Sequence, residues 1–521
     1  MALGFGLALL LVPSGYFAWR FRTMPQLGSW HDDAIYWISA QSLAQQQGYA
    51  IGHLPTRPAQ TKYPPLYPAL LSLVWRFGGP FPGNLTAATA LQWSFAPLHF
   101  VLAWFWFLRC GFRAWPSWAL TVLVAAAPIT TLFAVSLMTE LPFTAVLLAL
   151  MLVIEGREVS SRRGLVAGVL GAAAFLIRTN AIMLAVGVPL LLVLRRRYRQ
   201  ALAFLAPMLV AIAGWQTWCA TRAFHARDDI TAYYTSYAAF YAHTFSWADL
   251  PHRVWTNADA IIESLARLVL FHSGDEPWLR AVSWVITAAA AAGVVTLFRW
   301  GVRYYPVFAA LLVAVLLLWQ YPPDQRFVYP LFPLYLAGLA TKLTEVAGLA
   351  VRSWRTASGA NRIAAVPVLL AIAALAAGSL WSTTEGTLVL LPKYFGERQS
   401  QLIRLQPAWQ WIVANTPTAA RFAAYDDTLL YLYAGRRGYT EPILPGVVYG
   451  SEDVPSCIAG LPALWSQVGV THVLFTEYDF LRDFHEPGHD ALAGLLADQR
   501  RFRLLYSDGA ARVYGVASSN R

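Results

Sequence analysis

Two adjacent carboxylates, Asp32 and Asp33, stand in the stretch GSWHDDAIYWISAQSLAQQQGY, at the start of a segment with helical character. Paired acids in this position either cap a helix N-terminus, where the dipole favours negative charge, or do proton chemistry. Trp30, Tyr36 and Trp37 flank them, and such aromatic residues hold polar groups at the level of a membrane surface. Further along, QTKYPPLYPALLSLVWRFGG joins Lys62 to a proline cluster and an apolar run too short to span a bilayer. This predicts an interfacial helix entered through a rigid turn, with Lys62 either neutralising a phosphate or snorkelling to the surface. Glu140 in SLMTELPFTAVLL, Arg178 in FLIRTNAIML and Arg326 in YPPDQRFVYPLFPLYL each lie at the end of an apolar run. Outward arginines beside outward acids describe a site able to hold a phosphate and to abstract a proton. A solvated turn is the competing reading for Glu140.

Other stretches carry weaker signals. In DDITAYYTSYAAFYAHTFSW, residues Tyr233, Tyr234, Tyr237, Phe240 and Tyr241 recur at near-helical spacing, which predicts an aromatic belt helix on the membrane with Asp228 and Asp229 as its N-terminal caps. The same spacing also suits the wall of a lipid groove or stacking on a sugar ring. Asn84-Leu85-Thr86 matches a glycosylation sequon, a pattern common by chance. The histidines are read as forming no dedicated metal site, although a divalent cation is compatible with the acids. No glycine-rich phosphate loop occurs, which argues against an ATP-driven pump. Cys110, Cys219 and Cys457 lie far apart and indicate neither a disulfide framework nor a metal cluster.

The elements that must position these residues are apolar. Of 521 residues, 57 % are hydrophobic and 13 % charged, with mean hydropathy +0.46. An ordinary soluble domain is about 45–50 % apolar and about 25 % charged, so a purely soluble enzyme is excluded. The net charge of +11 reads as a topology signal rather than a nucleic-acid footprint. Eleven candidate spans fall at 3–19, 87–108, 117–135, 137–154, 164–179, 181–194, 201–220, 281–298, 306–320, 327–341 and 363–382. The first is read as a retained helix, because the N-terminus lacks the basic region and cleavage site of a signal peptide. With the N-terminus in the cytoplasm, fifteen basic residues, among them Arg157, Arg195, Arg299 and Arg355, gather in short inner loops. The long outer loops 20–84 and 221–280 then carry five each. That asymmetry follows the positive-inside rule.

An odd number of spans places the C-terminal stretch 392–521 on the outer face, separate from a membrane core over 1–391. Its composition shifts to a soluble pattern. Helix-like PAWQWIVANTP and HDALAGLLADQRR alternate with strand-like THVLFTEY, FRLLYS and ARVYGV, and SDG reads as a hairpin turn. The expected architecture is a polytopic α-helical membrane protein with a C-terminal periplasmic α/β domain.

Taken in order, D-D-x-x-Y, K-x-P-P, an acid before Pro142 and Q-R-F-x-Y-P-L-F-P resemble the motifs of the GT-C membrane glycosyltransferases. The likeness is strongest to the bacterial branch related to protein O-mannosyltransferases and to the aminoarabinose transferase of lipid A. It covers most of residues 1–390. The resemblance implies a GT-C core and transfer of a monosaccharide, with inversion, from a polyprenyl-phosphate-linked donor to a glycan, lipid or protein acceptor. The place implied is the outer face of a bacterial cytoplasmic membrane, with no cofactor and no nucleic-acid partner. It also implies roles: Asp32 as general base, Asp33 as a second acid positioning the acceptor, Arg326 neutralising the departing phosphate, Lys62 as the basic residue of the first outer loop and Glu140 in support. Arg178 and Tyr36 complete the substrate-binding candidates. Thr61 departs from the lipid A branch, which has an acid directly before the lysine. The alternative from another class is a polytopic transporter or lipid flippase. Transporters place charges near the midplane on broken helices and show internal repeats, whereas these charges gather at span ends and no repeat is visible.

Overall fold

The computed structural model describes residues 6, 8–156, 158–223, 229–272, 274, 276–356, 360–441, 445–449, 452–480 and 486–517. Arg157 and the expected cap Asp228 lie outside these, as does part of the first expected span. The chain divides into two compact units, one of Met1–Arg22, Thr89–Trp215 and Val254–Tyr394, the other of Thr23–Ala88, Gln216–Arg253 and Phe395–Arg521.

The first unit is helical, and the apolar runs fall on helices. Among the described residues, five helices are long and apolar enough to cross a membrane: Leu85–Arg109, Tyr198–Thr221, Pro277–Arg299, Gln325–Arg355 and Ala365–Asn415. Ala114–Ala126 and Pro128–Val135 make a sixth if read together, bent by 62°. The bend falls at Pro128, whose ring removes an N–H and crowds the preceding turn. Other expected spans coincide with shorter helices, among them Glu140–Ile154, Ser161–Ile177 and Tyr304–Leu316. Eleven of the fifteen residues of Glu140–Ile154 are buried. A helix apolar all round and enclosed by protein is a core helix of the bundle.

Two devices fix this packing. Pro277–Arg299 meets Phe332–Thr356 at glycines, and a Cβ built on Gly293 would lie 1.8 Å from the Gly338 carbonyl oxygen. The helices therefore touch backbone to backbone, as small residues allow within membranes. The ends of Tyr304–Leu316 are closed by side chains from elsewhere. The buried Glu155 carboxylate accepts the N–H of Arg303 at 2.8 Å and of Tyr305 at 2.7 Å. At the other end Asn257 donates to the carbonyls of Leu316, Leu317 and Trp319 at 3.0–3.2 Å. Orphan backbone groups at both termini are thus satisfied.

The second unit builds on the helix Asp32–Ala44, which packs against Leu66–Phe77. Trp37 and Trp75 lie 4.7 Å apart, and the Trp75 indole donates to the Trp37 carbonyl at 2.9 Å. The tail forms a five-stranded sheet from β1 (Arg421–Ala424), β2 (Arg437–Tyr439), β3 (His472–Thr476), β4 (Phe502–Ser507) and β5 (Ala511–Val516), in the order β2-β1-β3-β5-β4. β1 is parallel to β2 and β3, while β5 runs antiparallel to β3 and β4. The β4–β5 hairpin forms at the SDG turn, where Asp508 accepts the N–H groups of Ala510 and Ala511. The helix Asp427–Ala434 follows β1, ends at left-handed Gly435 and packs against Asp32–Ala44.

Candidate functional site

In the second unit the chain turns sharply before Asp32. Gly28 has φ +84°, and its position faces Leu429, which a Cβ would meet at 2.9 Å. His31, immediately before the acids, has φ 59°, a left-handed conformation uncommon for a residue with a side chain. The Asp33 carboxylate is fully buried and accepts the N–H of Gly28 and of Ala34, each at 2.9 Å. Burial outweighs these donors and lifts its pKa to about 7. Asp33 therefore closes the turn from inside, the capping role open to such a pair.

Asp32 is partly exposed, and its carboxylate accepts a hydrogen bond from the Tyr63 hydroxyl. Beside Tyr63, the Lys62 ammonium donates to the Tyr233 carbonyl at 2.7 Å. It also lies over the rings of Tyr233, Tyr237 and Tyr63, at 4.2, 4.9 and 5.4 Å from their centroids. The lysine is 4 % exposed, so it is caged by aromatics rather than snorkelling. Tyr36 is buried and supports the Tyr63 ring at 4.9 Å and that of Tyr67 at 5.6 Å. The structure thus brings Asp32, Lys62 and Tyr36 into one neighbourhood.

Behind this face lies a network without a sequence signal. The Asp427 carboxylate, fully buried, is 3.0 Å from His31 Nε2 and 3.4 Å from His53 Nε2. It accepts the Tyr234 hydroxyl at 2.5 Å, and that hydroxyl in turn accepts the Thr440 N–H at 3.0 Å. His31 Nδ1 lies 3.3 Å from the Tyr233 hydroxyl. Burial works against the charged form of Asp427, but the histidines and Tyr234 outweigh it and hold the pKa below the usual carboxylate value. Burial likewise opposes a charged His31, yet the hydrogen bond and charge of Asp427, with the charge of Asp32, raise its pKa above 6.5. His53 is pushed down to about 4 by burial and is neutral. The tyrosine run 233–237 therefore does more than form a surface belt: Tyr234 is 1 % exposed and serves a buried carboxylate. The sequon asparagine, Asn84, is fully buried as well.

The first unit holds the other candidates. Glu140 is buried in the first turn of its helix. Arg178 caps the end of Ser161–Ile177 and donates to Thr139 Oγ1 at 3.0 Å and to the Glu140 carboxylate. Arg326 lies within the electrostatic reach of Glu140. Its guanidinium sits over Phe327 at 4.7 Å and near Asp324, whose carboxylate accepts the Arg326 N–H at 3.0 Å. Glu140, Arg178 and Arg326 therefore form one charged cluster. The same unit contains an apolar cavity of about 970 Å³ lined by Leu279, Val282, Ile286, Leu343, Leu375 and Trp381 among others. Among the described residues no group of three His, Cys, Asp or Glu side chains is placed to hold a metal ion.

Sequence reasoning did not find His31, His53, Tyr63 or Asp427, and it reads Tyr234 only as one ring of an aromatic belt or groove wall. The histidines were read only for metal spacing, and the partners of His31 lie 202 and 396 positions away.

No family model matches the sequence, and no curated protein matches it. The fold does match solved structures. ArnT from Cupriavidus metallidurans bound to undecaprenyl phosphate superposes with TM-score 0.53 at 13 % identity, over 99 % of this chain and 98 % of that one. Its apo state gives TM-score 0.50 at 13 % identity, over 94 % and 93 %. The archaeal oligosaccharyltransferase AglB from Archaeoglobus fulgidus, in complex with an inhibitory peptide and a dolichol-phosphate, gives 0.49 at 12 % identity, over 94 % and 71 %. The chain has the GT-C fold along its length and is a multi-pass membrane protein.

Proposed function

We propose that this protein transfers a monosaccharide from a polyprenyl-phosphate-linked donor to an acceptor hydroxyl at the outer face of the membrane, with inversion. The observation that carries the reading is Asp32: a partly exposed carboxylate held by Tyr63, beside a caged lysine, in a chain whose fold matches that of a protein crystallised with undecaprenyl phosphate. Asp32 takes the proton of the acceptor hydroxyl as its oxygen bonds to the anomeric carbon. The bond from that carbon to the phosphate oxygen breaks, and its electron pair leaves with the polyprenyl phosphate. A phosphate leaves as a stable anion, so no general acid is needed; the motif resemblance gives the neutralising role to Arg326, and Arg178, paired with Glu140, is the second cation offered for it. The apolar cavity suits a polyprenyl chain. Asp33 holds the turn that presents Asp32, and Lys62 with the surrounding rings packs about Tyr63, the partner of Asp32.

The test is mass spectrometry of the purified chain incubated with membrane lipid extract, comparing the native protein with Asp32→Asn. A placed base contributes typically 10²–10⁴-fold, so the variant should accumulate an intact polyprenyl phosphate sugar that the native chain consumes. If neither protein retains such a lipid, the donor assignment fails.

A further inference from the structure

We propose that Asp427 is a positioning residue for the Asp32 site: supplied by the C-terminal sheet segment, it holds the His31 ring and so fixes the turn from which Asp32 projects. The inference rests on the reading of Asp32 as the base in sugar transfer and adds a second part of the chain to that site.

Three observations converge on it. His31 adopts φ 59°, where glycine or asparagine sits at less cost. What a histidine adds there is a ring with two nitrogens, and both face oxygen: Nε2 the Asp427 carboxylate at 3.0 Å, Nδ1 the Tyr233 hydroxyl at 3.3 Å. Asp427 stands at the first position of the helix Asp427–Ala434, where the helix dipole also favours its charge. Its other oxygen accepts the Tyr234 hydroxyl, which is anchored by the Thr440 N–H, and His53 Nε2 stands 3.4 Å from that oxygen. A buried carboxylate held by both His31 and Tyr234 is rigid, and it transmits that rigidity to its partly exposed partner, His31, the residue next to Asp32.

Among the described residues, the charged groups acting on His31 are Asp427, Asp32 and Lys62. Asp427 and Asp32 favour its protonated form; Lys62 opposes it, and burial opposes it more. Tyr233 completes the surroundings, and Tyr234 and His53 stay neutral near pH 7. Removing the Asp427 charge leaves burial and Lys62 dominant, so His31 loses its proton at lower pH. In the native chain the folded pKa lies above 6.5, and the imidazolium is lost only as pH rises through that raised value. The alkaline limb of the rate profile follows this loss.

The experiment follows release of undecaprenyl phosphate from a membrane lipid extract by mass spectrometry, as a function of pH, for the full-length native chain, Asp427→Asn, His31→Asn and the double variant. Asparagine at 31 tolerates the left-handed backbone and removes only the ring. Both single variants are expected to lose about tenfold or more in kcat at pH 7.5 with KM nearly unchanged, and the alkaline limb of Asp427→Asn is expected about one unit lower. The double variant is expected to be no worse than either single one, because the two residues act as a unit. Asp427→Asn that lowers thermal stability while keeping native kcat and pH profile overturns the proposal, as do losses that add. If Asp427→Asn does not reach the membrane folded, His31→Asn with a native kcat and profile overturns it equally. Turnover abolished in Asp32→Asn but native in Asp427→Asn removes this inference alone. No turnover in the native chain removes the transfer reading and this inference with it.

Discussion

Asp33 keeps its carboxyl where water does not reach, and that has a measurable sign. Its folded pKa of about 7 lies above the ordinary 3.8, so between those values the folded chain holds a proton that the unfolded chain has released. Stability contributed by this group is complete below 3.8 and falls as pH rises through about 7. Asp33→Asn is neutral throughout and removes the dependence. The difference in Tm between native and variant, followed from pH 4 to 8, should change most across this window; parallel curves would refute the assignment. At this scale the sequence showed which residue types matter and less of what they do. Asp32, Lys62 and Tyr36 were legible because they crowd one short stretch, and Glu140, Arg178 and Arg326 because charge at span ends is costly. That Asp33 faces inward while Asp32 faces outward depends on the strained turn at Gly28 and His31, which no period of the helix announces.

At the scale of elements, the helices were legible because a long apolar run has few other fates. Short strands were not: β1 is four residues and β2 three, RFAA and RGY, and neither offers an alternating pattern to read. β3, β4 and β5, with five or six residues and β-branched or aromatic content, stood out. Helix contacts were also hidden, since a glycine in an apolar run reads equally as packing or as weakness. Gly293 and Gly214 make the contrast testable. A Cβ at 293 would lie 1.8 Å from the Gly338 carbonyl, whereas at 214 nothing lies within 4 Å. Gly293→Ala forces two helices apart and should cost about 3 kcal/mol or more. Gly214→Ala should be neutral or mildly stabilising, because alanine loses less backbone entropy in a helix. Thermal unfolding in detergent, followed by tryptophan fluorescence, checks both; equal Tm for the two variants would show that the close approach is not where stability lies.

At the scale of the molecule, the sequence reads 20–84 and 221–280 as loops and 392–521 as a domain of its own, because composition reports local character and not which distant segments share a core. In the structure Thr23–Ala88, Gln216–Arg253 and Phe395–Arg521 make one compact unit. The first of these stretches leans on the last at several points. His31 and His53 reach Asp427, Gly28 faces Leu429, the His53 carbonyl accepts the Gly438 N–H at 3.1 Å, and the Gly52 carbonyl accepts Arg437 Nε at 3.1 Å. Deleting 395–521 should therefore do more than remove an acceptor-recognition module. It strips backbone and side-chain partners from the stretch that carries Asp32, leaving a left-handed turn with nothing to over-determine it. Lys62, only 4 % exposed in the full chain, should then become accessible to trypsin. Limited proteolysis in native membranes, read by mass spectrometry, is expected to show cleavage between Lys62 and Tyr63 in the truncated chain and none in the full-length one at the same protease dose. Equal protection of Lys62 in both would mean that the first stretch holds its own fold and that Asp427 is dispensable to it.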